Sequence, residues 1–121
     1  MAGKRILLVD DEEGILDVLS SSLREEGYIV DTANSLARAM ASLSRTRYEL
    51  VATDLRLPDG DGTLLADRAT SLKIKSLIFS GYLLSLSPDD AKQYELLSKP
   101  LRPDEFVAAV ERSIGKAADS A

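Results

Sequence analysis

The chain has 121 residues, 45% hydrophobic and 29% charged, enough for one domain with a real core and short for two. Fifteen basic and twenty acidic residues leave a formal charge of −5, which argues against a chain that grips nucleic acid or an anionic membrane through bulk charge. With neither cysteine nor histidine, disulfides, thiol nucleophiles, imidazole bases and the usual zinc or iron ligand sets drop out, and chemistry falls to carboxylates, hydroxyls, lysine and a hard cation.

Apolar runs and amphipathic stretches alternate along the chain. Ile6–Val9 is a short continuous apolar run, the pattern of a strand covered on both faces. Ile15, Val18, Leu19 and Leu23 then recur at helical spacing, and Gly27 stands where a C-terminal cap ends that helix. Tyr28–Val30 is a second strand, followed by a helix whose inner face carries Leu36, Met40 and Leu43, capped by Asn34 or Ser35. Leu50–Ala52 is a third strand that ends at Asp54, and turn residues fill Leu57-Pro58-Asp59-Gly60-Asp61-Gly62.

Leu65, Ala69 and Leu72 mark a third helix and Leu77–Phe79 a fourth strand. Ser87-Pro88-Asp89-Asp90 opens a fourth helix, with a capping hydroxyl, a proline at the first helical position and acids in the first turn. Glu95–Ser98 is a fifth strand, which leaves that fourth helix one or two turns and so makes it short or degenerate. Phe106, Val110 and Ile114 line the last helix before Gly115, and residues 116–121 form a small polar tail expected to be flexible.

Five strand–helix units in alternation predict an α/β fold, a doubly wound five-stranded parallel sheet with helices on both faces. The ends of its strands are chemically distinctive. Strand one ends in Asp10 and Asp11, strand three in Asp54, strand four in Ser80 and strand five in Lys99. In a parallel sheet these ends share one edge, outside which ligands of doubly wound folds bind. Singly, each group has an ordinary structural use, the acids as caps and dipole partners of the helices that follow. Together they repel, at about 1–4 kcal/mol per pair of like charges 4 Å apart, unless Lys99 and a divalent cation compensate. Carboxylate oxygens suit magnesium, and a carboxylate is also a nucleophile towards phosphorus. Spacing alone does not say which aspartate that would be.

Ile6-Leu-Leu-Val-Asp10-Asp11-Glu12, Asp54-Leu-Arg-Leu-Pro58, Ser80-Gly81 and Lys99-Pro100 stand in the order found in receiver domains of two-component response regulators, and the chain resembles that family from residue 4 to about 115. The resemblance implies a single receiver domain over residues 1–121 with the flavodoxin-like strand order 2-1-3-4-5. It implies Asp54 as phosphoacceptor and Mg²⁺ as cofactor, held by Asp11, Asp54, Asp10 and the backbone carbonyl of Arg56. Lys99 would pair with the phosphoryl group, and Ser80 would turn towards it. The implied phosphodonor is a histidine kinase or a histidine phosphotransfer protein, and the product a conformational signal to an unspecified downstream protein. Such a chain is a phosphoacceptor with slow autodephosphorylation, not an enzyme, and a monomer or a phosphorylation-dependent dimer.

One departure marks the switch region. Leu96 occupies the position, three before the lysine, where many receivers carry an aromatic that turns inward. Tyr82, in the subgroup pattern Ser80-Gly81-Tyr82, is a candidate replacement. Two rival readings follow from the residues: a degenerate receiver that binds a partner unphosphorylated, and a haloacid-dehalogenase-type phosphatase built on Asp59-Gly-Asp61-Gly-Thr63. The second is disfavoured by Pro58, since proline does not sit in the central strand that should precede its nucleophile. No apolar run reaches membrane-spanning or signal-peptide length, so the expected location is cytoplasmic, with no direct nucleic-acid or membrane partner.

Overall fold

A computed structural model of the protein describes residues 3–81, 89 and 94–117. The elements run β1 (Arg5–Val9), α1 (Glu13–Glu25), β2 (Ile29–Ala33), α2 (Leu36–Arg45), β3 (Leu50–Asp54), a two-stranded ribbon of β4 (Arg56–Leu57) and β5 (Gly60–Asp61), α3 (Gly62–Ser71), β6 (Lys75–Ser80), β7 (Leu96–Ser98) and α4 (Pro103–Ile114). The predicted fourth helix opening at Ser87–Asp90 lies outside the described residues apart from Asp89, and the switch candidate Tyr82 lies outside them altogether.

Five strands make one parallel sheet in the order β2-β1-β3-β6-β7, which is the expected 2-1-3-4-5 once the ribbon strands are set aside. The apolar runs occupy the middle. Every residue of β3 is buried, and Ile6, Leu7, Leu8 and Val9 of β1 are fully enclosed. Alternation within these runs feeds two cores. Ile6, Leu8, Leu50, Ala52, Leu77 and Phe79 face α1 and α4, while Leu7, Val9 and Val51 face α2 and α3. Phe79 meets Phe106 of α4 edge to face, ring centres 5.9 Å apart, the arrangement aromatic quadrupoles prefer.

The inward stripe of α1 differs from the sequence expectation. Leu16, Leu19, Ser20 and Leu23 are buried, and Val18 is 52% exposed. Two apolar doublets, Ile15-Leu16 and Val18-Leu19, satisfy helical periodicity in either of two neighbouring phases. Packing against Ile6, Leu8 and Phe106 selects the one that contains Leu16. At the other end of the chain Ala117, placed in the tail by the sequence, is buried, and its carbonyl accepts the Lys4 amide at 3.1 Å.

One glycine matters for the site. A Cβ on Gly62, the first residue of α3, would overlap the backbone carbonyl of Asp54, while the Gly62 amide donates to Leu55 O at 2.6 Å. Gly62→Ala is therefore expected to destabilise the fold by about 1–3 kcal/mol, the usual cost of overpacking a rigid site. Urea denaturation checks it, and an unchanged midpoint would contradict so close an approach.

Candidate metal and phosphoacceptor site

The C-terminal ends of β1, β3, β6 and β7 bring together the residues that the sequence places there. Asp10 follows β1 and is 0% exposed; its amide donates to Ala33 O at 3.2 Å, which continues the sheet ladder for one more residue. Its Oδ1 accepts the Glu12 amide at 2.9 Å, an Asx turn that launches α1. Asp54 closes β3 and is 7% exposed. Asp11 stands beside them, exposed to solvent. One carboxylate oxygen from each of Asp10, Asp11 and Asp54 lies within 4.8 Å of the others.

Lys99, the residue after β7, reaches into this cluster. Its ammonium lies 3.1 Å from Asp54 Oδ2 and 3.3 Å from Asp10 Oδ2, and 5.6 Å from the centre of the Phe79 ring below it. The Lys99 amide is fixed by Ser80 O at 3.0 Å, so the two strand ends hold one another. Ser80 itself is 1% exposed. In register, Asp54 pairs with Phe79, which sets Ser80 one residue further towards the same edge.

The electrostatics are those of an undercompensated acidic cluster. Burial pulls the Lys99 ammonium down, but the hydrogen bond to Asp54 and the charges of Asp10 and Asp54 outweigh it, and its pKa is raised. Desolvation pushes the Asp10 carboxyl up; the Glu12 amide and Lys99 pull it back, the Asp54 charge adds to the rise, and the net shift is upward. A raised carboxyl binds its proton more tightly folded than unfolded. Stability from this group is therefore present in acid and is lost as pH rises from the ordinary carboxylate value through the raised one. Asp10→Asn, a permanent mimic of the neutral acid, is expected to raise the melting temperature in metal-free buffer at neutral pH by a few degrees, since about 1 kcal/mol moves a domain of this length by roughly 3–6 °C. The gain should shrink towards pH 4; a fall in melting temperature at pH 7 would mean that the Lys99 pair outweighs burial.

Other predicted residues fall at the rim. The Arg56 amide, in β4, lies 3.5 Å from Asp54 Oδ1. Leu96 pairs with Ile78 and is half-buried with Tyr94 against Leu55, Ala66 and Ile78. Tyr94, which the sequence reading did not single out, donates its hydroxyl to Asp67 of α3 at 2.7 Å. A lone tyrosine before a short strand carries no spacing that would reveal such a contact. Asp59, the nucleophile of the phosphatase alternative, is exposed on the ribbon and its carboxylate accepts two amides of α2, which leaves that reading without support. Beside Lys99 a groove of about 490 Å³ runs between α1 and the segment after β7, with Ile15, Val18, Pro100 and Leu101 in its walls.

The donor set fits magnesium. It consists of hard carboxylate oxygens on one strand edge, without nitrogen or sulfur ligands, and one ammonium cannot neutralise three carboxylates. No helix among the described residues is long and apolar enough to cross a membrane.

Comparison with known proteins agrees with this geometry. The chain is 36% identical over 115 residues to the alginate biosynthesis transcriptional regulatory protein AlgB of Pseudomonas putida, matching over 91% of its own length and spanning about a quarter (26%) of AlgB. It is 33% identical over 116 residues to the response regulator receiver protein CpdR of Brucella abortus, covering 92% of this chain and 97% of CpdR. Among solved structures, the response regulator protein TrrA of Thermotoga maritima in complex with Mg²⁺-BeF superposes with a TM-score of 0.80 at 31% identity, covering 90% of this chain and 97% of TrrA. The response regulator receiver domain family matches residues 6–111, and it is to this family, on sequence, strand order and the aspartates gathered at one sheet edge, that the chain belongs.

Proposed function

We propose that the protein accepts a phosphoryl group on Asp54 in a Mg²⁺-dependent reaction and passes the signal on through a change of conformation. Receiver domains take phosphate from histidine kinases and signal to downstream partners. The finer reading for this chain rests above all on one observation, the convergence of Asp10, Asp11 and Asp54 with the Lys99 ammonium at the end of the central strands.

An Asp54 carboxylate oxygen attacks phosphorus, a P–O bond forms, and the donor's P–N bond breaks with its electron pair leaving on the imidazole. Asp10, Asp11, Asp54 and the Arg56 carbonyl are the groups that would hold the metal. Mg²⁺ bound there would offset the carboxylate charge and stabilise the negative oxygens of the transferring group. Lys99, already 3.1 Å from Asp54, needs only a small swing to pair with a phosphoryl oxygen in place of a carboxylate. Ser80 offers a hydroxyl on the neighbouring strand end. The phosphodonor is a histidine kinase or histidine phosphotransfer protein, and the apolar groove beside Lys99 supports docking of its histidine-bearing segment next to the acceptor. Leu96, packed on Leu55 directly after Asp54, supports a route from acceptor to surface; Ser80 and Tyr82 complete the switch candidates. The shift selects between states the domain already samples.

The test is to mix the protein with a small acyl phosphate, with and without Mg²⁺, and weigh it intact. One added phosphoryl group, formed far faster with the metal than without it and lost slowly to water, supports the proposal. Absence of any adduct under conditions that label a known receiver would favour the unphosphorylated binding module.

A further inference from the structure

Two amide groups at the start of α2 are satisfied from a distant part of the chain. Leu36 N donates to Asp59 Oδ1 at 2.7 Å and Ala37 N to Asp59 Oδ2 at 2.9 Å. One carboxylate thus takes two of the N–H groups that a helix N-terminus leaves open. The helix has its own cap as well, the Ser35 hydroxyl accepting from Arg38 N at 3.2 Å, so Asp59 is not what starts it.

Asp59 lies at the tip of the β4–β5 ribbon, and the ribbon's other supports are also visible. At its base Gly62 N donates to Leu55 O at 2.6 Å. On its inner side Leu57 is buried in the cluster that contains Ala39 and Leu43 of α2. At the tip Leu36 presses on Gly60, where a Cβ would come within 2.7 Å of Leu36 Cδ2, and Gly60 has a φ of +156°. Between tip and base runs Arg56, whose backbone borders Asp54. The amides of Ala37 and Leu36 hold the Asp59 carboxyl below the usual carboxylate range, so this contact is charged throughout neutral pH.

We propose that Asp59 is a positioning residue for the metal site: by clamping the ribbon tip onto α2 it holds the Arg56 backbone beside Asp54, where the Arg56 carbonyl would join the carboxylates in holding Mg²⁺. The inference rests on the reading that Asp10, Asp11, Asp54 and the Arg56 carbonyl bind the metal. The clamp also ties α2, which carries none of those ligands, to the acceptor site.

The experiment is a calorimetric titration with MgCl₂ alone, without phosphodonor, on wild type, Asp59→Ala, Asp59→Asn and Ser35→Ala. Asp59→Ala should bind one Mg²⁺ roughly tenfold more weakly, the low end of what loss of an outer support does to a metal site. Asp59→Asn, with a single amide oxygen to offer, should fall between. Ser35→Ala removes a cap from the same helix without freeing the ribbon, and should stay within about twofold of wild type. Amide exchange at residues 56–61 should speed up in Asp59→Ala and not in Ser35→Ala. Wild-type affinity in Asp59→Ala, or equal weakening by Ser35→Ala, overturns the inference while leaving the metal site intact. A wild-type protein that takes up no Mg²⁺ overturns the metal site and the inference together. Should Asp59→Ala not fold, Asp59→Asn against Ser35→Ala decides the same question.

Discussion

Asp54→Ala is expected to abolish phosphoryl incorporation from a small acyl phosphate, to the level seen without protein, even at saturating Mg²⁺. Three acids share the cluster, and their surroundings distinguish them. Asp10 is sealed, with no exposed surface, its two oxygens engaged by the Glu12 amide and by Lys99. Asp11 is exposed and follows the end of β1 by two residues, beyond the strand pairing that holds Asp54. Asp54 is held by strand pairing, keeps a slight opening to solvent and has an ammonium 3.1 Å away to receive the incoming charge. Asp10→Asn and Asp11→Asn should instead slow labelling and raise the Mg²⁺ needed, and chelating the metal should cost wild type on the order of a hundredfold in rate. Intact-mass and peptide mass analysis separate these outcomes; an adduct surviving in Asp54→Ala would move the acceptor to a neighbouring acid.

Much of this site was legible because its parts lie at strand ends, and strand ends in a parallel sheet converge whatever the sequence between them. The runs Ile6–Val9 and Leu77–Phe79 are apolar on both faces, so they could only be central strands, and their polar terminators had to share an edge. Features set by packing were less legible. The phase of α1 turned on whether Leu16 or Val18 met the core, a choice that two apolar doublets leave open. The ribbon Arg56–Asp61 read as a plain turn, because two-residue strands carry no periodicity. Asp59 drew notice only as part of a phosphatase-like string, since nothing local points to a helix that begins 23 residues earlier. Contacts such as Tyr94 to Asp67 belong to tertiary geometry alone. Residues at strand ends are thus placed from the sequence better than the contacts that support them.

Lys99→Ala should move stability and metal affinity in opposite directions, the second large effect and the most direct probe of the cluster's electrostatics. In the metal-free protein the ammonium is the counter-charge for Asp10 and Asp54, at 3.3 and 3.1 Å, with its side chain only 20% exposed. Removing one member of a largely buried charge group leaves the others uncompensated, and about 2–4 kcal/mol of destabilisation is expected at neutral pH, somewhat below the fully buried case because solvent reaches the site. The raised Lys99 pKa fixes the pH window: its contribution is fully present below the lysine value of the unfolded chain and is lost as pH rises through the folded value. The wild-type and Lys99→Ala unfolding curves should accordingly approach one another in strong alkali. In acid they should also approach, since protonating Asp10, whose pKa is raised, removes part of what the ammonium compensates. Mg²⁺ should bind Lys99→Ala more tightly than wild type, by roughly tenfold if about 1.4 kcal/mol of charge repulsion is relieved, and saturating metal should recover most of the lost stability by binding the folded state alone. Urea melts with and without Mg²⁺ read both quantities. Weaker metal binding together with lower stability would show that the lysine acts chiefly through its packing on Phe79, where its ammonium stands 5.6 Å from the ring centre, and not as the cluster's counter-charge.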